Sequence, residues 1–338
     1  MVDSLGNLRS GLIVTRTPLR ISFAGGGTDL PDFYERQTGA VLSTTINKYV
    51  YVTVRRHGDL FPEKYRLNYS ETEQALTLDE IKNDIIRECL HLLRIDGPLY
   101  VSVVADLPAA SGLGSSSSFA VGLLNALHTY RGERVSALQL AQEACQIEID
   151  VLKHPIGKQD QYAAAFGGLN FYTFLTGGSV TIEPHRIPDD APMRLFSYLM
   201  VFWTNIQRDA NKVLQEQKEN TSSIMEHLIQ IRDHAIQLRE MMHGRFKPTD
   251  FGSVLDATWH CKRRLAKTIS NDRIDAWYEK AKAAGAIGGK LLGAGAGGFI
   301  LLIVEPHRQN DVRNALSDLT EIEIGYESRG SSLLLPSA

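Results

Sequence analysis

The stretch Pro108-Ala-Ala-Ser-Gly-Leu-Gly-Ser-Ser-Ser-Ser-Phe119 gathers what a protein needs to hold a phosphate. Gly112 and Gly114 let the main chain approach a ligand closely and adopt dihedrals closed to other residues. The amide groups that open a following helix would point into this loop at the positive end of the helix dipole. One serine is enough to cap a helix, so four in a row exceed that plainer use. The Gly-Lys-Ser/Thr of Walker-type loops is missing and no lysine lies in the segment. The serines must therefore supply hydroxyls to phosphate oxygens or to a Mg²⁺ ion.

Three further groups could take part in chemistry. Asp160 ends the Pro/Gly-broken segment Lys153-His-Pro-Ile-Gly-Lys-Gln-Asp160, and a buried carboxylate at such a turn could act as a general base. Glu143, Glu148 and Asp150 share the polar face of a helical pattern over 137–152, which Ser136 is placed to cap; a solvated face is the plain reading of those acids. Ala24-Gly-Gly-Gly-Thr-Asp-Leu30 is a glycine turn ending in a carboxylate. Asp29 either caps a helix over 31–37 or touches a small polar ligand. His154 has no second His or Cys at metal-ligand spacing and reads as a loop residue. Late in the chain, Gly293, Gly295 and Gly298 satisfy G-x-G-x-x-G. That dinucleotide signature requires a helix to follow. The continuously apolar Phe299–Val304 predicts a strand instead, which excludes a nicotinamide-dependent dehydrogenase and leaves a glycine hairpin, against a ligand or simply tight.

The elements that must position these groups follow from periodicity and punctuation. A β-branched run predicts a strand over Leu99–Ala105, and helical spacing predicts a helix over 120–130 that stops at Gly132. Residues 13–23 read as a strand interrupted by Pro18, at an edge or bulge. Residues 41–56 are strongly β-forming and predict two strands, with a short one over 65–69. A helix is expected over 78–93, a hairpin turn at Thr176–Ser179 and an inter-domain connection over 187–192. The second half predicts a strand over 194–203 and helices over 211–242, 250–269 and 273–284.

The whole chain bounds the answer. Its 338 residues suffice for two domains, and 43% apolar with 22% charged residues is ordinary for a globular protein. A net charge of −3 argues against nucleic acid or an anionic membrane as the main partner. Cys89, Cys145 and Cys261 are scattered, as expected for free thiols in a reducing compartment. No basic-then-apolar leader opens the sequence and no apolar run is long enough to span a bilayer, so a cytoplasmic protein is expected.

Taken together and in order, Thr17-Pro-Leu-Arg-Ile-Ser-Phe-Ala-Gly-Gly-Gly-Thr-Asp29, Pro108–Ser118 and Lys290-Leu-Leu-Gly-Ala-Gly-Ala-Gly-Gly298 resemble the three motifs of the GHMP kinases. The resemblance covers nearly the whole chain. It implies an α+β, two-domain GHMP kinase fold: a ribosomal-protein-S5-like unit, residues 1–190, and a ferredoxin-like unit, residues 191–338, with the active site between them. It also implies ATP, Mg²⁺ and a sugar or sugar phosphate as small-molecule partners; a homodimer stays open. Pro108, Ser111, Gly112, Leu113, Gly114, Ser115, Ser116 and Ser117 then correspond to the nucleotide loop. Ser116 and Glu148 resemble the Mg²⁺ ligands, Asp160 the catalytic aspartate and Arg20 the arginine beside it. Gly26, Gly27, Thr28, Asp29 and Gly295 are expected at the sugar.

Gly25–Asp29 departs from the Gly-Glu-His-Thr-Asp of galactokinases and lacks the tryptophan of fucokinase domains. It most resembles the D-glycero-D-manno-heptose 7-phosphate kinases, which phosphorylate the anomeric hydroxyl to the 1,7-bisphosphate used for surface polysaccharide. L-fucokinase or another sugar-1-kinase is the alternative within the family, and a non-catalytic sugar sensor the alternative of another class. A phosphorylated acceptor needs cations, for which Arg55, Arg56, Lys153, Lys158 and Arg208 are candidates.

Overall fold

The structure, a computed structural model, describes residues 11–58, 60–109, 111–185, 191–207, 221–243 and 246–335. Its first sheet is organised by β1 (Ile13–Ala24) and β2 (Gly39–Arg56). The expected pair of strands over 41–56 is one continuous strand. No glycine or proline interrupts it after Gly39, and its two halves take different partners: Gly39–Thr44 pairs with β6 (Leu169–Phe174), and Val50–Arg56 with β5 (Leu99–Ala105). Between them the register with β1 shifts at Pro18/Leu19, opposite Tyr49 and Ile46. Pro18 thus sits at a bulge, where a missing N–H costs no ladder bond. β3 (Tyr65–Asn68), β4 (Thr72–Ala75) and β7 (Val180–Pro184) extend the sheet.

The helices of this half are α1 (Pro31–Tyr34), α2 (Asp84–Leu92), α3 (Ser115–Tyr130), α4 (Ala137–Cys145) and α5 (Gln159–Phe166). The helical pattern predicted over 78–93 divides into a 3₁₀ turn, Leu78–Glu80, and α2, which Asn83 caps by accepting from the Ile86 amide. Ser136 caps α4 as its sequence suggests, accepting from the Gln139 amide. α3 is buried along most of its length and lies close on β1: a Cβ on Gly122 would approach Thr17 Oγ1 to 2.6 Å, and Thr15 Oγ1 donates to the Gly122 carbonyl over 2.9 Å.

The inter-domain connection expected over 187–192 lies mostly outside the described residues. Beyond it, α6 (Ala191–Phe196) precedes β8 (Leu199–Trp203), so of the strand expected over 194–203 the first three residues are helix and the last five strand. Pro192, in the first turn, presets a helical φ that an apolar pattern does not reveal. β8 joins β9 (Ala286–Leu291), β10 (Phe299–Val304) and β11 (Thr320–Ile322) in a second, antiparallel sheet of order β11-β8-β10-β9. Every residue of β10 is buried, as befits an interior strand. α7 (Thr221–His243), α8 (Pro248–Lys262), α9 (Asp272–Ala283) and α10 (Gln309–Ala315) complete this half. α8 ends seven residues before the predicted 269, its carbonyls taken over by a tight turn at Arg263–Leu265.

β12 (Ser332–Leu335) departs from the expected division at 190/191, because it returns to the first sheet and pairs with β1. The chain leading to it runs along that sheet: Asn47 N donates to Gly325 O, Gly168 N to Glu327 O and Ser331 N to Ala164 O. The two halves also share apolar contacts, since Phe33 of α1 packs into the core cluster of the second sheet. Among the described residues, no helix is long and apolar enough to cross a membrane.

Candidate active site

A cavity of about 640 Å³ opens between the two sheets, lined from one side by the glycine turn, the serine loop and the start of α5, and from the other by α7, α8, β9 and the turn after it. In the serine loop, Gly112 and Gly114 have φ of 82° and 75°. Gly114 is itself the N-cap of α3, in the left-handed region and without a side-chain cap. The capping reading of the serines therefore does not hold, and the helix begins at Ser115, five residues before the position predicted from apolar spacing. Ser115, Ser116 and Ser117 occupy its first turn and line the cavity, where first-turn amides have no intrahelical partner. Ser118 turns inward and donates to the Pro18 carbonyl.

Glu148 is not on a solvated face. α4 runs into a π-helical turn, Gln146–Val151, which carries Glu148 into the interior, where it is fully buried; such wide turns recur at functional sites. Ser116 Oγ donates to Glu148 Oε1 over 2.8 Å and Gln161 Nε2 to Oε2 over 2.8 Å. Burial pushes its carboxyl above the usual range, with hydrogen bonds from Ser117, Ser116 and Gln161 opposing and the Asp160 charge adding to the rise. A hydroxyl and a buried carboxylate, both oxygen donors on the edge of a phosphate-type loop, fit a small hard cation such as Mg²⁺.

Arg20 and Asp160 form a two-pronged pair: Nε to Oδ1 is 2.6 Å and Nη2 to Oδ2 is 2.7 Å. Arg20 Nη1 donates to the Gly112 carbonyl over 2.9 Å, and the Arg20 amide donates to the Leu113 carbonyl over 3.0 Å. One buried guanidinium thus ties β1, the serine loop and the first turn of α5 together. The Asp160 side chain keeps 23% exposure, toward the cavity. A Cβ on Gly114 would stand 3.3 Å from its carboxylate, so the absence of a side chain there leaves the carboxylate open to the loop.

Asp29 does not cap α1, whose N-cap is Leu30 with no side-chain bond. Its Oδ1 accepts from the Gly27 amide over 2.9 Å and its Oδ2 from the Gln159 amide over 3.2 Å. Burial, then the charge of Asp160, raises its carboxyl. Gly26, Gly27 and Asp29 line the cavity. Thr28, expected at the sugar, does not: its hydroxyl donates to the Gly25 carbonyl and accepts from the Ala40 amide, fastening the turn to β2. Gly295 is also absent from the lining; at φ 126° it packs on Ile269, while Gly293 and Ala294 of the same turn face the cavity. Pro108, Ser111 and Leu113 lie outside the lining: Pro108 is exposed, Ser111 is buried and Leu113 belongs to the core.

Two buried oxygens in the wall lack partners among the described residues, Ser22 Oγ and Gln159 Oε1, and both suit a ligand rich in hydroxyls. Two lysines in the opposite wall escaped the sequence reading. Lys290 is 4% exposed, and burial together with the Arg20 charge pushes its ammonium down to about 7. Lys262, at the end of α8, is lowered by burial, then by Lys290 and Arg20. Only the placement of Lys290 inside the third glycine motif hinted at either. Of the cations named from sequence, Arg55, Arg56, Lys153 and Lys158 do not line the cavity. Arg55, Arg56 and Lys153 are exposed, and Lys158 donates to the Gly178 carbonyl over 2.6 Å. Arg208 lies outside the described residues.

Residues 81–168 match the GHMP kinases N terminal domain and residues 250–321 the GHMP kinases C terminal domain. The chain is 33% identical, over 90% of its length and 93% of the relative's, to the D-glycero-alpha-D-manno-heptose 7-phosphate kinase of Campylobacter jejuni subsp. jejuni serotype O:2. It belongs to the GHMP kinases. Among solved structures it is similar to "a D-glycero-D-manno-heptose 1-phosphate kinase from Bacteriodes thetaiotaomicron", with a TM-score of 0.79 and 25% identity over 96% of this chain and 99% of that one. The Lactococcus lactis galactokinase complexed with galactose shares the fold, with a TM-score of 0.74 at 18% identity and 95% of each chain covered. This GHMP kinase is accordingly a sugar kinase that uses ATP, with the α+β fold of that family.

Proposed function

We propose that this GHMP kinase phosphorylates the anomeric hydroxyl of D-glycero-D-manno-heptose 7-phosphate, giving the 1,7-bisphosphate on a route to surface polysaccharide. The observation that carries the reading is the Asp160 carboxylate, gripped by both prongs of Arg20 and open to the serine loop in a cavity that Asp29, Gly26 and Gly27 also line. The identity to the C. jejuni heptose 7-phosphate kinase supports the choice of acceptor.

In this mechanism Asp160 accepts the proton of the acceptor hydroxyl as its oxygen attacks the terminal phosphorus of ATP. Arg20 fixes the direction of that carboxylate and sets positive charge beside the Gly112 carbonyl, where phosphate oxygens gather. First-turn amides of α3 and the hydroxyls of Ser115 and Ser117 receive the polyphosphate. Ser116 and Glu148 would hold Mg²⁺, which when bound supplies positive charge to the phosphate oxygens. Asp29, Ser22 and Gln159 orient the sugar by its hydroxyls. We place the reaction in the cytoplasm, where ATP and sugar phosphates meet.

An ADP-release assay across heptose 7-phosphate, heptose 1-phosphate, free heptose, L-fucose, galactose and mannose tests the assignment. Highest kcat/KM for heptose 7-phosphate is expected. Preference for fucose or galactose would remove the heptose assignment and leave a sugar kinase of another specificity.

A further inference from the structure

Two ammonium groups line the cavity without a carboxylate to balance them. Lys262 Nζ donates to the carbonyls of Leu291, over 3.0 Å, and Gly293. Lys290 Nζ reaches across to β1 and donates to the carbonyls of Ser22, over 2.9 Å, and Phe23, over 3.1 Å. Among the described residues neither lysine makes an ion pair. Arg20, the neighbouring cation, has two nitrogens on Asp160 and the third on Gly112. An ammonium carries three donors, so each lysine has one left after its two carbonyls. Cations set against neutral carbonyls alone, Lys290 buried and Lys262 half-buried, are costly to keep, and an entering anion relieves that cost.

The phosphates of ATP have counter-groups of their own in the serine loop: the helix amides, the serine hydroxyls and the Ser116–Glu148 pair. The lysines stand on the wall built from α8 and β9, beside Ser22 with its unpartnered hydroxyl. We propose that Lys262 and Lys290 form the seat of the phosphate the acceptor already carries, gripping a phosphate monoester by one N–H each. The proposal rests on the reading of the acceptor as a sugar phosphate. A neutral sugar offers neither lysine an anion, so the pocket favours the phosphorylated acceptor by that contact.

The experiment compares kcat/KM for heptose 7-phosphate with that for free heptose in wild type, Lys262→Met and Lys262→Arg. The ratio is expected to fall roughly 10- to 100-fold in Lys262→Met, the weight of a charge-assisted contact, and to survive in large part in Lys262→Arg. Equal losses on both acceptors, as a structural or ATP-directed lysine would give, overturn the proposal. A readout free of variants uses inorganic phosphate as an inhibitor of wild type. Competition against heptose 7-phosphate is expected, and competition against ATP alone overturns the seat. A wild type that does not favour the phosphorylated sugar refutes the acceptor reading itself, whereas a favoured phosphosugar with an unchanged ratio in Lys262→Met refutes only the lysines.

Discussion

Gly293 and Gly112 meet backbone against backbone: a Cβ on Gly293 would overlap the Cα of Gly112, and one on Gly112 would stand 2.9 Å from the Leu292 carbonyl oxygen. The turn between β9 and β10 is therefore pressed onto the serine loop, while Lys262 ties the same turn to α8 through the Leu291 and Gly293 carbonyls. The third glycine motif meets the serine loop by shape.

Gly293→Ala tests that contact. Gly293 has φ of 70°, so alanine meets backbone strain as well as overlap. A loss of roughly 2–4 kcal/mol is expected, read as a lower urea midpoint, with a raised KM for ATP as the loop is displaced. Unchanged stability and KM would show that the turn yields freely.

Asp160→Asn keeps the shape of the side chain and removes the proposed base. Turnover is expected to fall roughly 10²- to 10⁴-fold, while ATP affinity, measured by calorimetry, stays within a few-fold. Full turnover would remove Asp160 from the proton transfer.

Glu148 gives a prediction in pH. Its folded carboxyl lies above the ordinary 4.5 because of burial. A group shifted that way stabilises the fold below its unfolded value and loses the contribution as pH rises through the folded one. Without metal, Glu148→Gln should therefore gain melting temperature over wild type by about 2 °C or more as pH climbs from the acid range to neutral. Its demand for Mg²⁺ at half-maximal rate should rise. A gap between variant and wild type that does not change with pH would contradict the burial effect.

Lys290 gives the opposite case. The unfolded chain keeps this proton to the ordinary 10.5 and the folded one only to about 7. Between these values the unfolded state binds more protons, so stability rises with pH. Urea midpoints of Lys290→Met should climb less steeply above neutral pH than those of wild type, and an anionic ligand should flatten the wild-type slope by restoring the proton. Identical slopes would show that Lys290 stays charged throughout.

What could be read in advance was whatever local sequence determines. Leu99–Ala105, the glycine break and the apolar strand Phe299–Val304 declare themselves within a few residues of their own span, and the matching elements form there. Gly114 hid the start of α3, because a left-handed glycine can replace the expected serine cap. β2 looked like two strands because only its partners, far apart in the chain, explain its two halves. Glu148 looked solvated because an ideal helix places it outward, and one wide turn reverses that. Lys262 and Lys290 carry no spacing signal at all: their meaning comes from walls contributed by β1, α8 and β9 together. Thr28 shows the converse, a motif residue whose hydroxyl is used up by the turn that displays its neighbours.

The pairing of β12 with Val14–Arg16 of β1 sets an order on assembly. As the chain leaves the ribosome, β1 keeps a row of open N–H and C=O groups while the whole second sheet is made. An open strand edge is a template for other chains, so the nascent protein carries that border until β12 has been made. A shortened chain ending near residue 322 would keep every residue of the cavity wall and still leave that border bare.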